Sequence, residues 1–357
     1  MTGQIYLRPT GFVDAPFGHD GKVARLAGGL NWFSAIELIR GQSTELLSVA
    51  DLEPRLPDLG DEVRRTWANI IAPRAPLALG RRIVRLDQPQ IVGILNVTPD
   101  SFSDGGRFAE GVAGIQAGHD MAAAGAAIVD VGGESTRPGA STVWEGDEIA
   151  RVEPVVRQLA AGGVAVSIDS RKASVMEAAL GAGATLVNDV SALTWDPNAA
   201  AVVARAGCPV VLMHHKGDPR TMQDDPRYDR PVLLEVYDWL EERIAAAVAA
   251  GIDRAKIIVD PGFGFGKTVQ HNLQLMNGLA MLHGLGCPIM LGASRKRTIG
   301  ALSNEAEADQ RLGGSIALAV KAAEQGAQLI RVHDVPETLQ ALRVWRGLRD
   351  TGLTPSR

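Results

Sequence analysis

Acceptor-rich side chains end three short apolar runs of the sequence and could recognise a ligand. They are Asp169, Asn188 and Asp260. A carboxylate accepts two parallel N–H bonds, and an amide offers both a donor and an acceptor. The set therefore suits the polar edge of a flat heterocycle that carries amidine-like donors. One such residue alone could be a satisfied structural group, but several at equivalent positions favour a binding site.

A second set of polar residues in equivalent positions is mostly cationic and suits an anion. Its members are Asn96, Thr136, Arg137, Lys296, Arg331 and His333. Arg and Lys pair with phosphate oxygens, and Mg²⁺ prefers oxygen ligands. Together the two sets predict a bipolar site, with a heterocycle at one end and a phosphate group at the other.

Eight short apolar, β-branched runs must position these side chains. They alternate with longer Ala-rich segments, which is typical of parallel strands buried on both faces and joined by helices. The predicted strands span 91–97, 127–132, 164–169, 185–190, 209–214, 256–261, 288–293 and 328–334. Gly125, Gly183 and Gly326 precede three of them and fit helix C-caps. The pattern predicts an α/β fold, a (β/α)8 TIM barrel over 86–357, whose site lies at the C-terminal strand ends. An open doubly wound sheet is the alternative architecture.

The first 85 residues do not follow this alternation, and we expect them to form a small α+β appendage of unknown role. The elements predicted in 1–85 are a strand at 5–7, helices at 31–39 and 62–71, a Pro-broken connection at 52–57 and a linker at 72–85. Trp32 and Trp67 are expected in the core of the appendage or against the barrel.

Composition narrows the possible partners and compartments. Lys and Arg number 36 against 41 Asp and Glu, a net charge of −5, so the chain lacks the basic field that nucleic-acid binding needs. Apolar runs such as 121–129 fall well below the roughly 20 residues of a membrane span, and the first 20 residues do not resemble an export signal. Cys208 and Cys287 each precede a Pro and an apolar run, which indicates buried thiols in a reducing compartment. We expect a cytoplasmic protein that binds neither nucleic acid nor membrane.

Two long polar loops follow the first two predicted strands. They span 98–108 and 134–146 and are rich in Gly, Pro, Ser and Asp. Loops in these positions of a barrel are candidates for lids that shield a reactive intermediate from water. Phe102 and Phe108 in the first loop favour closure over a ligand.

Three other motifs carry less weight. The run 262–268 resembles a phosphate-binding loop, but Pro261 stands where that motif needs Gly. His214 and His215 are adjacent strand residues that point to opposite faces, which disfavours a zinc pair. We find no nucleophile and base at a spacing that predicts a hydrolase.

Two long motifs resemble the signatures of the dihydropteroate synthase family. They begin at Ile94 and Asp130 and read ILNVTPDSFSDGG and DVGGESTRPG. Shorter matches follow in the same order: SIDS at 167–170, VNDV at 187–190, LMH at 212–214, DPGFGFGK at 260–267, SRK at 294–296 and RVHD at 331–334. The resemblance covers 90–348 and none of the first 85 residues.

The resemblance implies the condensation of 6-hydroxymethyl-7,8-dihydropterin pyrophosphate with p-aminobenzoate to 7,8-dihydropteroate and pyrophosphate in folate biosynthesis. The implied pterin-binding residues are Asp169, Asn188, Met213, Asp260 and Lys296. The implied p-aminobenzoate site comprises Thr136, Arg137, Pro138, Phe265 and Ser294. The implied pyrophosphate ligands are Asn96, Thr136, Arg331 and His333, with Mg²⁺ as cofactor on Asn96. The implied catalytic residues are Asp260, Lys296, Arg331 and His333.

The implied chemistry is dissociative. Pyrophosphate leaves first, a pterin cation forms, and the aromatic amine attacks without a strong general base. Two alternatives stay open from the sequence: a pterin-binding methyltransferase domain, which would need no pyrophosphate site, and a pterin-binding pseudoenzyme that acts through protein contacts. The resemblance also implies competition by sulfonamides, and a homodimer is the expected assembly.

Overall fold

The computed structural model describes residues 4–98, 106–135, 142–217 and 221–352. The chain begins with an antiparallel sheet and two helices. These elements are β1 (Ile5–Val13), β2 (Ala24–Arg25), β3 (Trp32–Arg40), β4 (Ser43–Ser48), α1 (Val49–Leu59) and α2 (Asp61–Ile71). Strand β3 is the centre of this sheet and pairs with the other three strands. Trp67 is buried in the core of this appendage, edge-on to Phe33 at 5.9 Å between ring centroids.

Two of the elements predicted for the appendage are wrong. The segment 31–39 was expected to be a helix but forms β3, because strands hydrogen-bond to both of its edges and it is rich in aromatic and β-branched residues. The segment 52–57 lies inside helix α1, which contains Pro54 and Pro57. Ser48 caps this helix by accepting from the Asp51 N–H at 3.1 Å, and burial of its apolar face outweighs the prolines. The helix predicted at 62–71 is confirmed.

The predicted linker at 72–85 contains a hairpin, so that prediction is also wrong. Strands β5 (Leu77–Leu79) and β6 (Arg82–Val84) pair antiparallel. Their buried residues pack with Leu86 and with interior residues of the barrel strands such as Ile128. The hairpin thus closes the lower end of the barrel interior. The division of the chain at residue 85 stays a prediction.

Within the described residues, eight parallel strands form one sheet that closes on itself. They are β7 (Gln90–Asn96), β8 (Ile128–Gly132), β9 (Val166–Asp169), β10 (Leu186–Asp189), β11 (Val210–Met213), β12 (Ile257–Asp260), β13 (Met290–Leu291) and β14 (Leu329–Val332). Neighbours follow chain order, β14 pairs with β7, and the bridge between Val259 and Ile289 links β12 to the β13 segment. The predicted (β/α)8 barrel is confirmed, and each strand falls inside or within one residue of its predicted span.

Helices cover the outside of the barrel. They are α3 (Gly106–Ala124), α4 (Glu145–Ala161), α5 (Ala173–Ala182), α6 (Ala199–Ala206), α7 (Val232–Ala249), α8 (Val269–Gly278), α9 (Arg297–Leu302), α10 (Leu312–Glu324) and α11 (Val335–Gly352). The predicted capping glycines Gly125, Gly183 and Gly326 have φ values of 112°, 114° and 84°, a left-handed conformation that Gly adopts at low cost. They turn the chain directly into the next strand.

Polar contacts fasten the appendage to the barrel helices. The Tyr6 hydroxyl donates to the Asp238 carboxylate at 2.9 Å, and the Asn31 amide donates to the Ala323 carbonyl at 2.7 Å. Arg74 donates to the carbonyls of Cys287 and His283 at 3.2 and 3.0 Å. The expected free, buried thiols are confirmed for both cysteines. None of the helices in the described ranges combines the length and apolar character needed to cross a membrane.

Candidate active site

A buried ionic cluster lies at the C-terminal ends of the barrel strands. Arg331 on β14 donates through Nε to Asp130 Oδ2 and through a terminal nitrogen to Asp169 Oδ2, both at 2.6 Å. The side chain of Arg331 is 18% exposed, whereas Asp130 and Asp169 are nearly fully buried. Burial alone would lower the pKa of Arg331, but the two carboxylates outweigh it and raise that pKa above its ordinary value. Arg331 therefore stays charged.

Two carboxylate oxygens in this cluster are buried acceptors with no partner among the described residues. They are Asp130 Oδ1 and Asp169 Oδ1. Leaving such groups unpaired is costly, so they mark a place that N–H donors of a ligand would fill. The Asn188 amide donates to Asp130 Oδ2 at 2.9 Å and thereby joins the same cluster. Burial raises the pKa of Asp169 to about 7, and Arg331 opposes that shift.

Asp130 belongs to the site, but the sequence-based assignment did not include it as a ligand. It stands within strand β8, two residues after Ile128, whose side chain packs in the barrel interior. Alternate residues of a strand share a face, so Asp130 also points inward. The signal that could have identified it is a charged residue inside an otherwise apolar strand that is buried on both faces.

Asp260 ends strand β12 and is 4% exposed. Burial raises its pKa to about 6. Its Oδ1 accepts from the Gly262 N–H at 2.7 Å, which fixes the carboxylate against the loop that follows. A Cβ on Gly262 would lie 1.7 Å from the His214 carbonyl oxygen, so only Gly fits at this turn. Met213, the neighbouring strand end on β11, is buried and in register with Asp260.

An aromatic ring and an ammonium group meet beside Asp260. Lys296 Nζ lies 3.9 Å from the ring centroid of Phe265, a distance at which a cation is attracted to the ring face. The neighbouring Arg295 has a left-handed backbone, with φ of 57°, and pairs with Asp334. The Arg295–Asp334 pair holds this segment against the end of strand β14, and the Lys296 contact links it to the loop that carries Phe265.

Ser294 and His333 also lie side by side. Ser294 Oγ is 3.0 Å from His333 Nδ1 and accepts from the His333 backbone N–H at 3.3 Å. Asn96 ends strand β7, is half-buried and is in register with Gly132 of β8. Sequence reasoning placed these residues in different parts of the site, and the fold brings Ser294 into contact with His333.

The structure brings most of the predicted site residues to one end of the barrel. Those at or just after the C-terminal strand ends are Asn96, Asp169, Asn188, Met213, Asp260, Phe265, Ser294, Lys296, Arg331 and His333. Thr136, Arg137, Pro138 and Phe102 lie outside the described residues, as do the central parts of both predicted lid loops. Their positions remain predictions.

A second buried ionic cluster, which sequence reasoning missed, lies at the base of the loop after β8. Lys172 Nζ donates to Glu134 Oε2 and Glu148 Oε2, both at 2.5 Å, and to the Val143 carbonyl at 2.6 Å. Glu134 also accepts from the Val143 N–H at 2.8 Å. Glu134 precedes the undescribed part of the loop and Val143 follows it, so the cluster holds the two stems of the loop together.

His214 is packed among buried side chains beside the site. It lies 2.8 Å from Lys267 Nζ and edge-on to Trp239. Burial, and then the charge of Lys267, lower its pKa well below the ordinary value. Among the residues that the structure describes, no three His, Cys, Asp or Glu side chains group as metal ligands.

Three kinds of comparison with known proteins point to the same group of enzymes. The sequence profile of the family described as pterin binding enzyme matches residues 92–333. The dihydropteroate synthase of Escherichia coli strain K12 is 47% identical over 260 residues, 72% of this chain and 91% of that protein. The solved structure of Xanthomonas albilineans dihydropteroate synthase with 4-aminobenzoic acid has a TM-score of 0.73 at 46% identity, over 77% of this chain and 98% of that one. The Yersinia pestis dihydropteroate synthase in a complex with a sulfonamide drug has a TM-score of 0.73 at 45% identity, over 77% and 99%.

Proposed function

This chain belongs to the pterin-binding enzyme family, and from that premise we propose which of its residues carry out each part of the dihydropteroate synthase reaction. The chain is a transferase that condenses 6-hydroxymethyl-7,8-dihydropterin pyrophosphate with p-aminobenzoate. The observation that carries the assignment of residues is the cluster of Arg331, Asp130 and Asp169 with its two unpaired carboxylate oxygens. Neither the methyltransferase nor the pseudoenzyme alternative gains support from the relatives.

The pterin is proposed to bind in the barrel mouth against the acceptor-rich cluster. Its N–H edge would pair with the unpaired oxygens of Asp169 and Asp130, and Asn188 would add an amide contact. Asp260 would accept from the opposite part of the ring system, with Met213 forming an apolar wall. Lys296 would contact the ring from the side of Phe265.

The p-aminobenzoate site is proposed beside Phe265 and Ser294, with Thr136, Arg137 and Pro138 completing it as predicted from the motifs. Phe265 is half-buried, so its ring keeps a surface on which an aromatic acid could stack. The complex of the Xanthomonas albilineans relative with 4-aminobenzoic acid supports this choice of ligand. By the same reasoning, the sulfonamide complex of the Yersinia pestis relative supports competition by sulfonamides at this site.

The pyrophosphate is proposed to bind above the pterin, near Asn96, Arg331 and His333, with Thr136 from the loop. Arg331 donates through Nε to Asp130 and through one terminal nitrogen to Asp169. Its other terminal nitrogen is therefore the group proposed to contact the pyrophosphate. The donor set fits Mg²⁺, because this ion commonly takes few protein oxygens and completes its shell with phosphate and water. Asn96 would be its protein ligand. When bound, the ion would neutralise charge on the departing pyrophosphate.

The residues at the C-terminal ends of the barrel strands have different roles in the reaction. The bond between the pterin methylene carbon and the pyrophosphate oxygen breaks, and the electron pair leaves with pyrophosphate. Arg331 and His333 hold the leaving anion, while the buried Asp260 carboxylate stabilises positive charge on the pterin ring. The amine nitrogen of p-aminobenzoate attacks the carbon and, once the new C–N bond has formed, releases one of its two protons to solvent. An aniline nitrogen is already a nucleophile, so no strong base is required beside Phe265.

Two further properties remain proposals. We expect a homodimer, the most common assembly of homo-oligomeric proteins. A cytoplasmic location is proposed because Cys208 and Cys287 are both free thiols.

One substitution in the proposed pterin site and one in the proposed p-aminobenzoate site test these residue assignments. Asn188→Leu should raise KM for the pterin pyrophosphate by about tenfold or more, since one good hydrogen bond to a ligand is worth about 1.4 kcal/mol. Phe265→Ala should instead raise KM for p-aminobenzoate. Asp189→Asn is the control, because that buried carboxylate binds backbone N–H groups of its own loop. An unchanged KM in both site variants would contradict the assignment.

A further inference from the structure

Lys267 is a buried lysine beside the site to which the proposed reaction gives no role. Its side chain is 3% exposed. Its Nζ lies 3.0 Å from the Gly262 carbonyl, 3.0 Å from the Phe265 carbonyl and 2.8 Å from His214 Nδ1. Two carbonyl oxygens and one imidazole nitrogen thus surround Nζ, which matches the three bonding directions of this nitrogen. The lysine is therefore fully satisfied inside the protein and has no donor left for a ligand.

Two of the three contacts of Lys267 are to the loop that carries Phe265, and the third is to His214 after strand β11. This loop runs from 261 to 267 and turns through three glycines with left-handed backbones, at φ of 66°, 84° and 62°. Within the loop, the Phe265 N–H donates to the Gly262 carbonyl at 3.0 Å, which closes one turn. Lys267 bonds to both carbonyls of that turn and so holds it shut from the buried side.

Other side chains bond to Gly264 and Gly266 of the loop, among them Gln223, which donates to the Gly264 carbonyl. The Tyr228 hydroxyl donates to the Gly266 carbonyl at 3.0 Å, and Asn272 Oδ1 accepts from the Gly264 N–H at 2.8 Å. Among these interactions, only those of Lys267 reach the Phe265 backbone. Glycine-rich segments lose much conformational entropy when ordered, so an internal cross-link of this kind has a large effect on the loop.

The position of the Phe265 ring follows from this arrangement. The ring lies on the exposed side of the turn, 3.9 Å from Lys296 Nζ, while Lys267 lies on its buried side. Without the Lys267 contacts, the Phe265 carbonyl and His214 Nδ1 would lose this buried partner, the Gly262 carbonyl would keep only the Phe265 N–H, and the turn would have to open for water to reach them. The ring would then move away from Lys296.

We propose that Lys267 is a positioning residue that holds the Phe265 ring in the p-aminobenzoate site. The inference rests on the proposed function of Phe265. Lys267 touches neither substrate in this arrangement and acts through the turn. Its main contribution is to affinity for the aromatic amine, because the pterin contacts Asp169, Asn188 and Met213 lie on strands that the loop does not follow.

The test is Lys267→Met in the full chain, which keeps the length of the side chain and removes its donors. KM for p-aminobenzoate and the dissociation constant of a sulfonamide should rise by about tenfold or more, while KM for the pterin pyrophosphate should change by less than about threefold. Lys256→Met is the matched control. Lys256 also donates to a carbonyl, that of Gly207 at 2.6 Å, but lies at the other end of strand β12. It should leave both KM values unchanged.

A double-mutant cycle separates this role from a general loss of structure. If Lys267 acts through Phe265, Lys267→Met should have little additional effect on KM for p-aminobenzoate in a Phe265→Ala background. Additive effects would overturn the inference. If Phe265→Ala itself leaves that KM unchanged, the proposed binding site is wrong, whatever Lys267 does.

A milder variant covers the case in which Lys267→Met does not fold. Tyr228→Phe removes the hydroxyl that donates to the Gly266 carbonyl and leaves the core packing in place. It should raise KM for p-aminobenzoate by a smaller factor, about threefold, with the pterin KM unchanged. Equal increases in both KM values would overturn the inference, because they would indicate a general disturbance of the mouth.

Discussion

Asp260→Asn should preserve the fold and remove most of the turnover. In the unsubstituted protein, Asp260 Oδ1 accepts a hydrogen bond from the Gly262 N–H at 2.7 Å. The amide oxygen of Asn can accept the same bond, so the loop geometry is kept. The substitution removes one negative charge at a position that is 4% exposed. A carboxylate about 5 Å from a cationic ring interacts with it by about 3 kcal/mol at an effective dielectric constant of about 20. Since about 1.4 kcal/mol is a tenfold change in rate, kcat should fall by about 100- to 300-fold.

The measurement is kcat with both substrates saturating, at about pH 8, where a carboxyl of pKa about 6 is about 99% ionised in the unsubstituted protein. Thermal unfolding of the same preparation confirms that the variant is folded. Asp189→Asn is the matched control, because it removes a similarly buried charge from the C-terminal end of β10, two strands away, where the carboxylate accepts from the N–H groups of Ser191 and Leu193. This control should lose stability but keep kcat per folded molecule. A wild-type kcat in Asp260→Asn would refute the electrostatic argument.

Other perturbations should separate catalysis from stability. Lowering the pH from about 7 to about 6 should reduce kcat/KM for the pterin substrate. Burial raises the pKa of Asp260 to about 6 and that of Asp169 to about 7, and each carboxylate loses its charge as it gains a proton. A profile that stays flat down to about pH 5 would contradict this prediction. Lys172→Met should lower the free energy of unfolding in urea by about 3 to 5 kcal/mol, since two buried glutamates lose their cation, and a loss below about 1 kcal/mol would speak against that role. Tyr6→Phe should cost about 1 to 3 kcal/mol by removing a hydroxyl bonded to charged Asp238. Its Tm should fall while kcat is unchanged, and a fall in kcat would show that the appendage influences the site.

The barrel could be predicted from the sequence because its strands differ in composition from its helices. A parallel strand that is buried on both faces must be apolar along its whole length, whereas the covering helices are Ala-rich and longer. The polar residue that ends each run marks the C-terminal face, so Asp169, Asn188 and Asp260 could be assigned to one site without coordinates. Their spacing in the chain then follows from the length of each βα unit.

The appendage was harder to predict because its elements depend on their neighbours. Residues 32–40 form a strand only because β1 and β4 hydrogen-bond to its two edges. Residues 77–84 form a hairpin whose buried side chains rest on the barrel interior, in a stretch whose composition is typical of a linker. Local sequence preference is weak compared with such tertiary contacts.

The sequence by itself determined the order of strands and helices, the face on which the site lies and most of the residue types at that face. Only the tertiary structure decided which of these groups touch. Closure of the barrel places Arg331 on β14 within reach of Asp130 and Asp169, which precede it by 201 and 162 residues. The Lys267 contacts depend in the same way on the path of a glycine-rich turn that several backbone conformations could satisfy. Pairings of this kind are set by distances across the barrel mouth, and the periodicity of a single strand or helix carries no information about those distances.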